Sequence, residues 1–188
     1  MDVEIHITKR ASEPKGEAKR LRGQGMIPAV IYSQANSSES VSLSAVAFET
    51  VLRNLTPGFL PTTIFSLVNA AGKKIRAIIK DIQYQVTTYK VMHLDFLELQ
   101  NDTMVEYNVP IECLGQADCV GVKAGGFLRS LMRHVKVRSL PPHIPSHFEI
   151  DVKNLGLNQV KRTSELAVPA HVQLLARPDD VIVTVVKR

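Results

Sequence analysis

The sequence contains no tryptophan, only four tyrosines and six phenylalanines, and only two cysteines among 188 residues. Its apolar runs are all shorter than the roughly 18 residues that a membrane-spanning helix requires. The opening MDVEIHITKR carries acidic residues where a secretory signal would have a basic start and an apolar core. Cys113 and Cys119 alone do not resemble the disulfide framework of a secreted domain. These absences predict a cytoplasmic protein with reduced thiols and no membrane partner.

The positive charge of the chain is concentrated in its first half. The whole sequence has 23 Lys and Arg against 18 Asp and Glu, a net charge of +5. Residues 1–97 carry 12 basic and 8 acidic side chains, whereas residues 98–188 carry 11 and 10. Six basic residues lie between positions 9 and 22, where the only acids are Glu13 and Glu17. This density favours an anionic partner, such as the phosphate backbone of a nucleic acid.

The first half of the chain has the pattern of a small β-barrel. Apolar and polar residues alternate over residues 2–8, as in a half-buried strand. Helices are expected over the basic segment 15–25 and, after a Ser44 cap, over 45–55. Strands are predicted at 2–8, 27–32, 40–44, 63–69, 75–86 and 91–99. Because strands so closely spaced commonly close on themselves, we expect a barrel.

A change of character near Gln100-Asn101-Asp102 predicts a boundary between an N-terminal domain, 1–97, and a C-terminal domain, 98–188. After it, short alternating runs are separated by turn residues, including GVKAGG and PPHIP. A helical period is visible there only around 164–166. The predicted fold is therefore mainly β, an N-terminal barrel with two to three short helices followed by a β-rich, sandwich-like domain.

The basic segment could be a docking element or an ordinary surface helix. One face of a helix over 15–25 would carry Lys15, Lys19 and Arg22, and another would carry Ala18, Leu21 and Gly25. The first face can contact a partner while the second packs against the rest of the domain. Glycines at both ends would allow the backbone to approach another surface closely. The charge pattern alone leaves nucleic-acid binding and a solvated helix both open.

A second group of polar residues lies on the predicted strands. Gln83 and Tyr84 lie on one strand, and His93 and Asp95, two residues apart, share a face of another. These side chains suit RNA recognition, because a carboxylate accepts from base amino groups, glutamine matches an adenine edge and histidine can stack or donate. A metal pair, a catalytic dyad and a structural hydrogen bond between His93 and Asp95 are the alternatives.

The sequence supplies little support for catalysis. His93 and Asp95 alone cannot hold a catalytic metal, and no HExxH motif is present. His143 and His147 have an H-x3-H spacing, but the two cysteines are not spaced as a zinc knuckle. GVKAGGF lacks the Lys-Ser or Lys-Thr of a phosphate loop, and no GxSxG is present. We therefore predict no enzyme, no metal, no cofactor and no small-molecule substrate.

Four segments, taken together, resemble one known family: GEAKRLRGQGMIPAVIY, KDIQYQVTTYKVMHLDF, GVKAGGFL and LPPHIPSHFEIDV. In order and spacing they are similar to the bacterial large-subunit ribosomal protein number twenty-five, in its long two-domain form, the general stress protein CTC family. The resemblance extends from about Val3 to Val186. It implies an N-terminal barrel that binds 5S ribosomal RNA in the central protuberance, as a monomer among neighbouring ribosomal proteins and RNA.

The resemblance also implies which residues contact the RNA. On the loop and helix these are Arg10, Lys15, Lys19, Arg20 and Arg22, and on the barrel face they are Tyr32, Gln83, His93 and Asp95. This sequence departs from the family pattern at Ser33, where glycine is usual, and at Gln85-Val86, which replaces a common His-Pro. It also ends at Lys187-Arg188 without the acidic extension of many members.

Three other functions stay open from the sequence. The first is a tRNA-associated or anticodon-recognition module, because the anticodon-binding barrels of glutaminyl-tRNA synthetase are similar. The second is a small metal-dependent hydrolase that uses His93 and Asp95. In the third, the nearly neutral C-terminal domain is a protein-interaction module and the RNA contact is secondary.

Overall fold

A computed structural model describes residues 3–10, 16–33 and 37–187. The chain divides into two compact units, with the boundary between Thr103 and Met104. Each unit is built mainly from strands.

The first unit is a closed barrel. Its elements within the described residues are β1 (Val3–Lys9), α1 (Glu17–Gly23), β2 (Met26–Tyr32), β3 (Ser38–Ser44), α2 (Ala45–Asn54), β4 (Phe65–Val68), β5 (Lys74–Tyr84) and β6 (Val91–Glu98). The strands are hydrogen-bonded in the order β1-β3-β2-β6-β5-β4, and a parallel β1–β4 pair closes the ring. The predicted barrel with short helices is therefore confirmed.

The barrel interior is filled by the apolar residues that alternate along each strand. Phe48 of α2 is fully buried, and its ring centroid lies 6.5 Å from that of Phe65, which lies 6.0 Å from that of Phe96. The N-terminus of α2 is capped as expected, since Ser44 Oγ accepts a hydrogen bond from the Ala47 amide at 3.5 Å. The interior is lined by Ile5, Ile7, Ile27, Ala29, Ile31, Val41, Leu43, Leu67, Ala77, Ile79 and Leu94.

Helix α1 is shorter than the sequence suggested. It begins after Gly16, whose φ of 140° is outside the helical range, and Gly25 with φ 75° redirects the chain into β2. Because both conformations have positive φ, glycine is the residue best suited to these two positions. The predicted packing face is reduced to half-buried Ala18 and Leu21. Lys15 lies outside the described residues.

The second unit contains two sheets. Its elements are β7 (Val105–Leu114), α3 (Val120–Lys123), β8 (Gly126–Ser130), β9 (His134–Ser139), β10 (Phe148–Asp151), β11 (Val160–Arg162), β12 (Val172–Leu174) and β13 (Val181–Lys187). One sheet has the order β10-β7-β9-β12 and the other β11-β13-β8. The predicted β-rich architecture of this half is confirmed.

One local feature of the second unit differs from the sequence expectation. The GVKAGG segment, expected to be only a turn, begins with the helical turn α3. A Cβ atom on Gly121 would lie 2.8 Å from Val185 Cγ1 and 2.9 Å from the Leu155 carbonyl oxygen. Gly121 thus permits α3 to pack directly against neighbouring backbone, which a pattern of turn-forming residues does not reveal.

Candidate RNA-binding surface

Three adjacent strands, β2, β6 and β5, present the predicted strand residues on the outside of the barrel. Since Leu94 and Phe96 point into the core, the alternating His93 and Asp95 point outward. Gln83 lies directly opposite His93 in the antiparallel β5–β6 pair, and it is exposed. The fold therefore brings Gln83, His93 and Asp95 together on one face.

His93 and Asp95 form a close pair on this face. The His93 Nδ1 and Asp95 Oδ1 atoms are 2.7 Å apart, and the two side chains are 20% and 23% exposed. Despite this distance, Nδ1 is enclosed and makes no hydrogen bond of acceptable geometry within the chain. The two groups are thus held side by side without a well-directed bond between them, so the hydrogen-bonding capacity of Asp95 is not fully used internally.

The basic helix is attached beside this pair. Arg22 Nε donates a hydrogen bond to the Met92 carbonyl oxygen at 3.1 Å, so α1 contacts β6 next to His93. Lys19, Arg20 and Arg22 are exposed and form no ion pair among the described residues. The helix and the strand face, which are about 70 residues apart in sequence, therefore form one continuous surface.

Arg10 lies in a different environment from the helix cations. Its side chain is only 18% exposed, its Nε donates to the Val41 carbonyl oxygen at 3.3 Å, and its Nη1 lies 3.7 Å from Glu17 Oε2. Arg10 thus connects β3 with the start of α1. Such contacts fix the direction in which the helix leaves the barrel, whether or not this guanidinium also reaches a partner.

Tyr32 is at the end of β2, and its side chain is 37% exposed. It pairs with Leu97 of the neighbouring parallel strand β6. Because Ile31 points into the core, Tyr32 faces outward like Asp95, further along the strands. An exposed aromatic ring at this edge offers a surface on which a base or ribose can pack.

Two further residues lie on or near this surface, and one of them, Asp81, was not singled out from the sequence. Asp81 is exposed and lies opposite Asp95, after a β-bulge between Ile79 and Asp81. The bulge shifts the alternation by one residue, so the sequence pattern alone assigns Asp81 to the wrong face. Tyr84 ends β5, and partial burial raises the pKa of its hydroxyl above 10.0, which keeps it a hydrogen-bond donor at neutral pH.

The Gln85-Val86 departure falls in the loop that joins β5 to β6. The Gln85 amide donates to the Lys90 carbonyl oxygen, and the Tyr89 amide donates to the Gln85 carbonyl oxygen, both at 2.8 Å. The Gln85 side chain also accepts a bond from Thr88 Oγ1 at 2.8 Å. Gln85 therefore stabilises the loop through its backbone and side chain.

The structure offers no support for a metal-dependent active site. Across residues 3–10, 16–33 and 37–187, no group of three His, Cys, Asp or Glu side chains is arranged to hold a metal ion. His143 stacks on His171 with ring centroids 4.6 Å apart, whereas His147 lies 3.2 Å from Glu149. Within the same described part of the chain, none of the helices combines the length and apolar character needed to cross a bilayer.

Comparison with known proteins assigns the two halves to two matching domains. Residues 5–96 match the model of the Ribosomal L25p family, and residues 104–188 match that of the ribosomal protein TL5, C-terminal domain. The large ribosomal subunit protein bL25 of Chlamydia pneumoniae is 42% identical over 186 residues, which cover 99% of this chain and all of that protein. Proteins of the same name from Chlamydia caviae and Chlamydia trachomatis serovar L2 are 42% and 41% identical over the same length.

A basic helix joined to a polar barrel face, followed by a second β-domain, is thus the architecture of a bacterial ribosomal protein and not of an enzyme. The chain belongs to the Ribosomal L25p family, in the long, two-domain CTC form. Both the family resemblance and the absence of enzymatic function predicted from the sequence are confirmed. As a ribosomal protein of this family, it has the cytoplasmic location that the sequence predicted.

Proposed function

We propose that this chain binds 5S ribosomal RNA in the central protuberance of the large subunit, through α1 and the outer face of β2, β6 and β5. The observation that carries the proposal is the hydrogen bond from Arg22 Nε to the Met92 carbonyl oxygen. It joins a helix with unpaired cations to a strand face with hydrogen-bonding groups. The family membership supports ribosomal RNA and neighbouring ribosomal proteins as the partners.

The helix provides the electrostatic part of the interaction. Lys19, Arg20 and Arg22 are exposed and unpaired within the described residues, so their charges are available to phosphates. Contacts of this kind fix the register of a protein on a nucleic acid without reading its sequence. If Lys15 extends the same basic surface, it adds a fourth phosphate contact.

The strand face provides the hydrogen-bonding part. Duplex RNA exposes ribose 2′-hydroxyls and base edges in its wide, shallow minor groove, where side chains on the barrel face can approach them. Asp95 can accept hydrogen bonds from hydroxyl or amino groups, and the Gln83 amide can both donate and accept. A carboxylate on an RNA-facing surface repels phosphates, so its presence favours contact with ribose or base atoms rather than the backbone.

A hydrogen bond holds the basic helix beside the strand face. The Arg22–Met92 bond holds α1 against β6, so a duplex seated on the strand face would have its backbone beside the helix. Arg10 and Glu17 help to fix the start of α1. We therefore expect the cations to be positioned before RNA binds, which lowers the ordering cost of association.

The direct test is binding of the full chain to 5S ribosomal RNA and to a tRNA across a salt series. With three exposed cations neutralising three phosphates, log affinity should fall with log salt concentration with a slope of about −2 to −3. Each further contact, such as one from Lys15, would add about −0.7 to −0.9. Clear preference for 5S RNA supports the proposal. Equal affinity for both RNAs would contradict it and favour the tRNA-associated alternative.

A further inference from the structure

A second basic region lies in the C-terminal unit. Residues 119–148 contain five Lys and Arg but no Asp or Glu. Three of these cations pair with Asp118 or Glu106, which lie outside the segment. Arg129 and Arg133 are exposed, and their side chains make no ion pair or hydrogen bond with any described residue. One free positive charge therefore lies on β8, and a second lies between β8 and β9.

Strand β8 is at the edge of the β11-β13-β8 sheet, and its residues alternate between two faces. A Cβ atom on Gly126 would lie 2.8 Å from Val185 Cγ1, so Gly126 and Leu128 belong to the packed face. Phe127 and Arg129 consequently project from the opposite face. There Phe127 is 48% exposed, although phenylalanine is normally a core residue.

The neighbouring strands continue this open face. Phe127 lies opposite Val186, and Arg129 lies opposite Thr184, which in turn pairs with Val160 on β11. Val186 and Thr184 are only partly buried, and Val160 is 38% exposed. The result is a shallow apolar surface with an aromatic ring at its edge and a free guanidinium beside it.

We propose that this open face of the C-terminal sheet binds a single-stranded RNA segment, with Phe127 stacking on a base and Arg129 and Arg133 contacting phosphates. The ring and the charges favour this occupant because open sheets bind unpaired bases on exposed aromatic side chains, with cations holding the backbone. Because residues 119–148 contain no Asp or Glu, they offer no carboxylates to bind a basic partner. The residues of this site belong to the second unit, and the inference does not rest on the function proposed for the first.

The absence of tryptophan makes a direct optical test possible. In a full-length Phe127→Trp variant the introduced indole is the sole tryptophan, and stacking on a base should quench its fluorescence. The probe is a 12-nucleotide oligouridylate added in a titration. Leu175→Trp is the matched control, since Leu175 is 44% exposed and follows β12 of the other sheet. We expect saturable quenching at position 127 and none at 175.

Affinity measurements complete the test. All variants carry Lys19→Gln, Arg20→Gln and Arg22→Gln, so that binding of the labelled oligouridylate to α1 does not mask the second site. In this background Phe127→Ala should weaken binding about 5- to 150-fold, the range for one lost base–aromatic stack, whereas Phe127→Tyr should retain it. Arg129→Gln should reduce the salt slope by about 0.7.

Several outcomes would overturn the proposal. The first is that oligouridylate does not quench the fluorescence of Phe127→Trp, and the second is that it quenches Leu175→Trp equally. The third is that Phe127→Ala binds oligouridylate with unchanged affinity. Quenching by large-subunit proteins but not by RNA would assign the face to a protein partner instead. Because Phe127 is exposed, we expect Phe127→Ala to fold, and its urea midpoint compared with the parent chain checks this. If the full chain does not bind 5S RNA but oligouridylate still quenches the fluorescence of Phe127→Trp, only the function proposed for the first unit is contradicted.

Discussion

Replacement of Arg20 by glutamine tests the electrostatic part of the proposed 5S surface. Arg20 is exposed on α1 and has no ion pair within the described residues, so the change removes one charge without breaking an internal contact. If that charge neutralises one phosphate, the slope of log affinity against log salt should become less negative by about 0.7 to 0.9. This difference does not depend on how many other phosphates are contacted.

The expected size of the effect follows from the slope. Raising salt from about 50 to about 200 mM changes log concentration by about 0.6, so one lost contact alters the salt sensitivity of affinity by about threefold. With three contacts, the parent affinity should fall about 20- to 40-fold over this range, and the Arg20→Gln affinity only about 7- to 12-fold. Filter binding or anisotropy with labelled 5S RNA resolves such a difference.

The control is Arg53→Gln. Arg53 is also an exposed helical arginine without an ion pair in the described structure, but it belongs to α2. Its loss should leave the slope unchanged, because α2 is not part of the proposed surface. An unchanged slope in Arg20→Gln, or an equal change in Arg53→Gln, would refute the assignment of α1 to phosphate contact.

Three further predictions concern recognition and stability. Asp95→Ala should weaken 5S binding by about 1.5 to 3 kcal/mol, roughly 10- to 150-fold, without changing the salt slope, because the lost contact is a hydrogen bond to a carboxylate and not a released counterion. Phe48→Ala should lower the free energy of unfolding in urea by about 3 to 5 kcal/mol, since it empties part of the barrel core. Hydrogen bonds and charge from Lys136 and Arg138 hold the pKa of Glu106 below its usual 4.5. These ion pairs therefore stabilise the second unit fully above pH 4.5, and this stabilisation should be lost as the pH falls through the lowered pKa. Glu106→Gln should flatten this acid dependence in urea unfolding curves.

Each of these has its own control. Asp102→Ala changes an exposed carboxylate outside the proposed surface, and an equal loss of binding there would contradict a specific role for Asp95. Val46→Ala alters a 72% exposed residue on the same helix as Phe48 and should change stability by less than about 0.5 kcal/mol. If Glu106→Gln retains the full acid dependence, the ion pairs of Glu106 are not its source.

Local pattern was sufficient to find the strands of the barrel but not their order. Alternation over residues 2–8 places Ile5 and Ile7 in the core, because successive side chains of a strand point to opposite faces and one face of this strand is exposed to solvent. The arrangement β1-β3-β2-β6-β5-β4 depends on contacts between distant segments, which no window of ten residues contains. The expectation of a closed barrel came from strand spacing and from the family resemblance.

The sequence predicted which strand residues share one face but not the contacts that surround them. The two-residue spacing of His93 and Asp95 was enough to place them on one face. Nothing in the sequence indicates that Arg22 bonds to the Met92 carbonyl oxygen, since backbone acceptors have no residue-type signature. The partial burial of Arg10 and the bulge before Asp81 were hidden for the same reason, because both depend on how neighbouring strands are paired.

The hydrogen bond that joins α1 to β6 also has a consequence for synthesis of the chain. Its donor and acceptor are 70 residues apart, and the parallel β1–β4 pair connects Val3 with Phe65. Contacts of such long sequence separation slow folding, because a large loop must be ordered before they form. As the chain leaves the ribosome that makes it, the basic helix emerges before β6, so its hydrogen bond to Met92 can form only after residues 91–98 have also emerged. The contact that joins the two parts of the proposed surface is therefore absent for most of the synthesis of the first unit, and RNA selectivity that depends on it should arise only once β6 is in place.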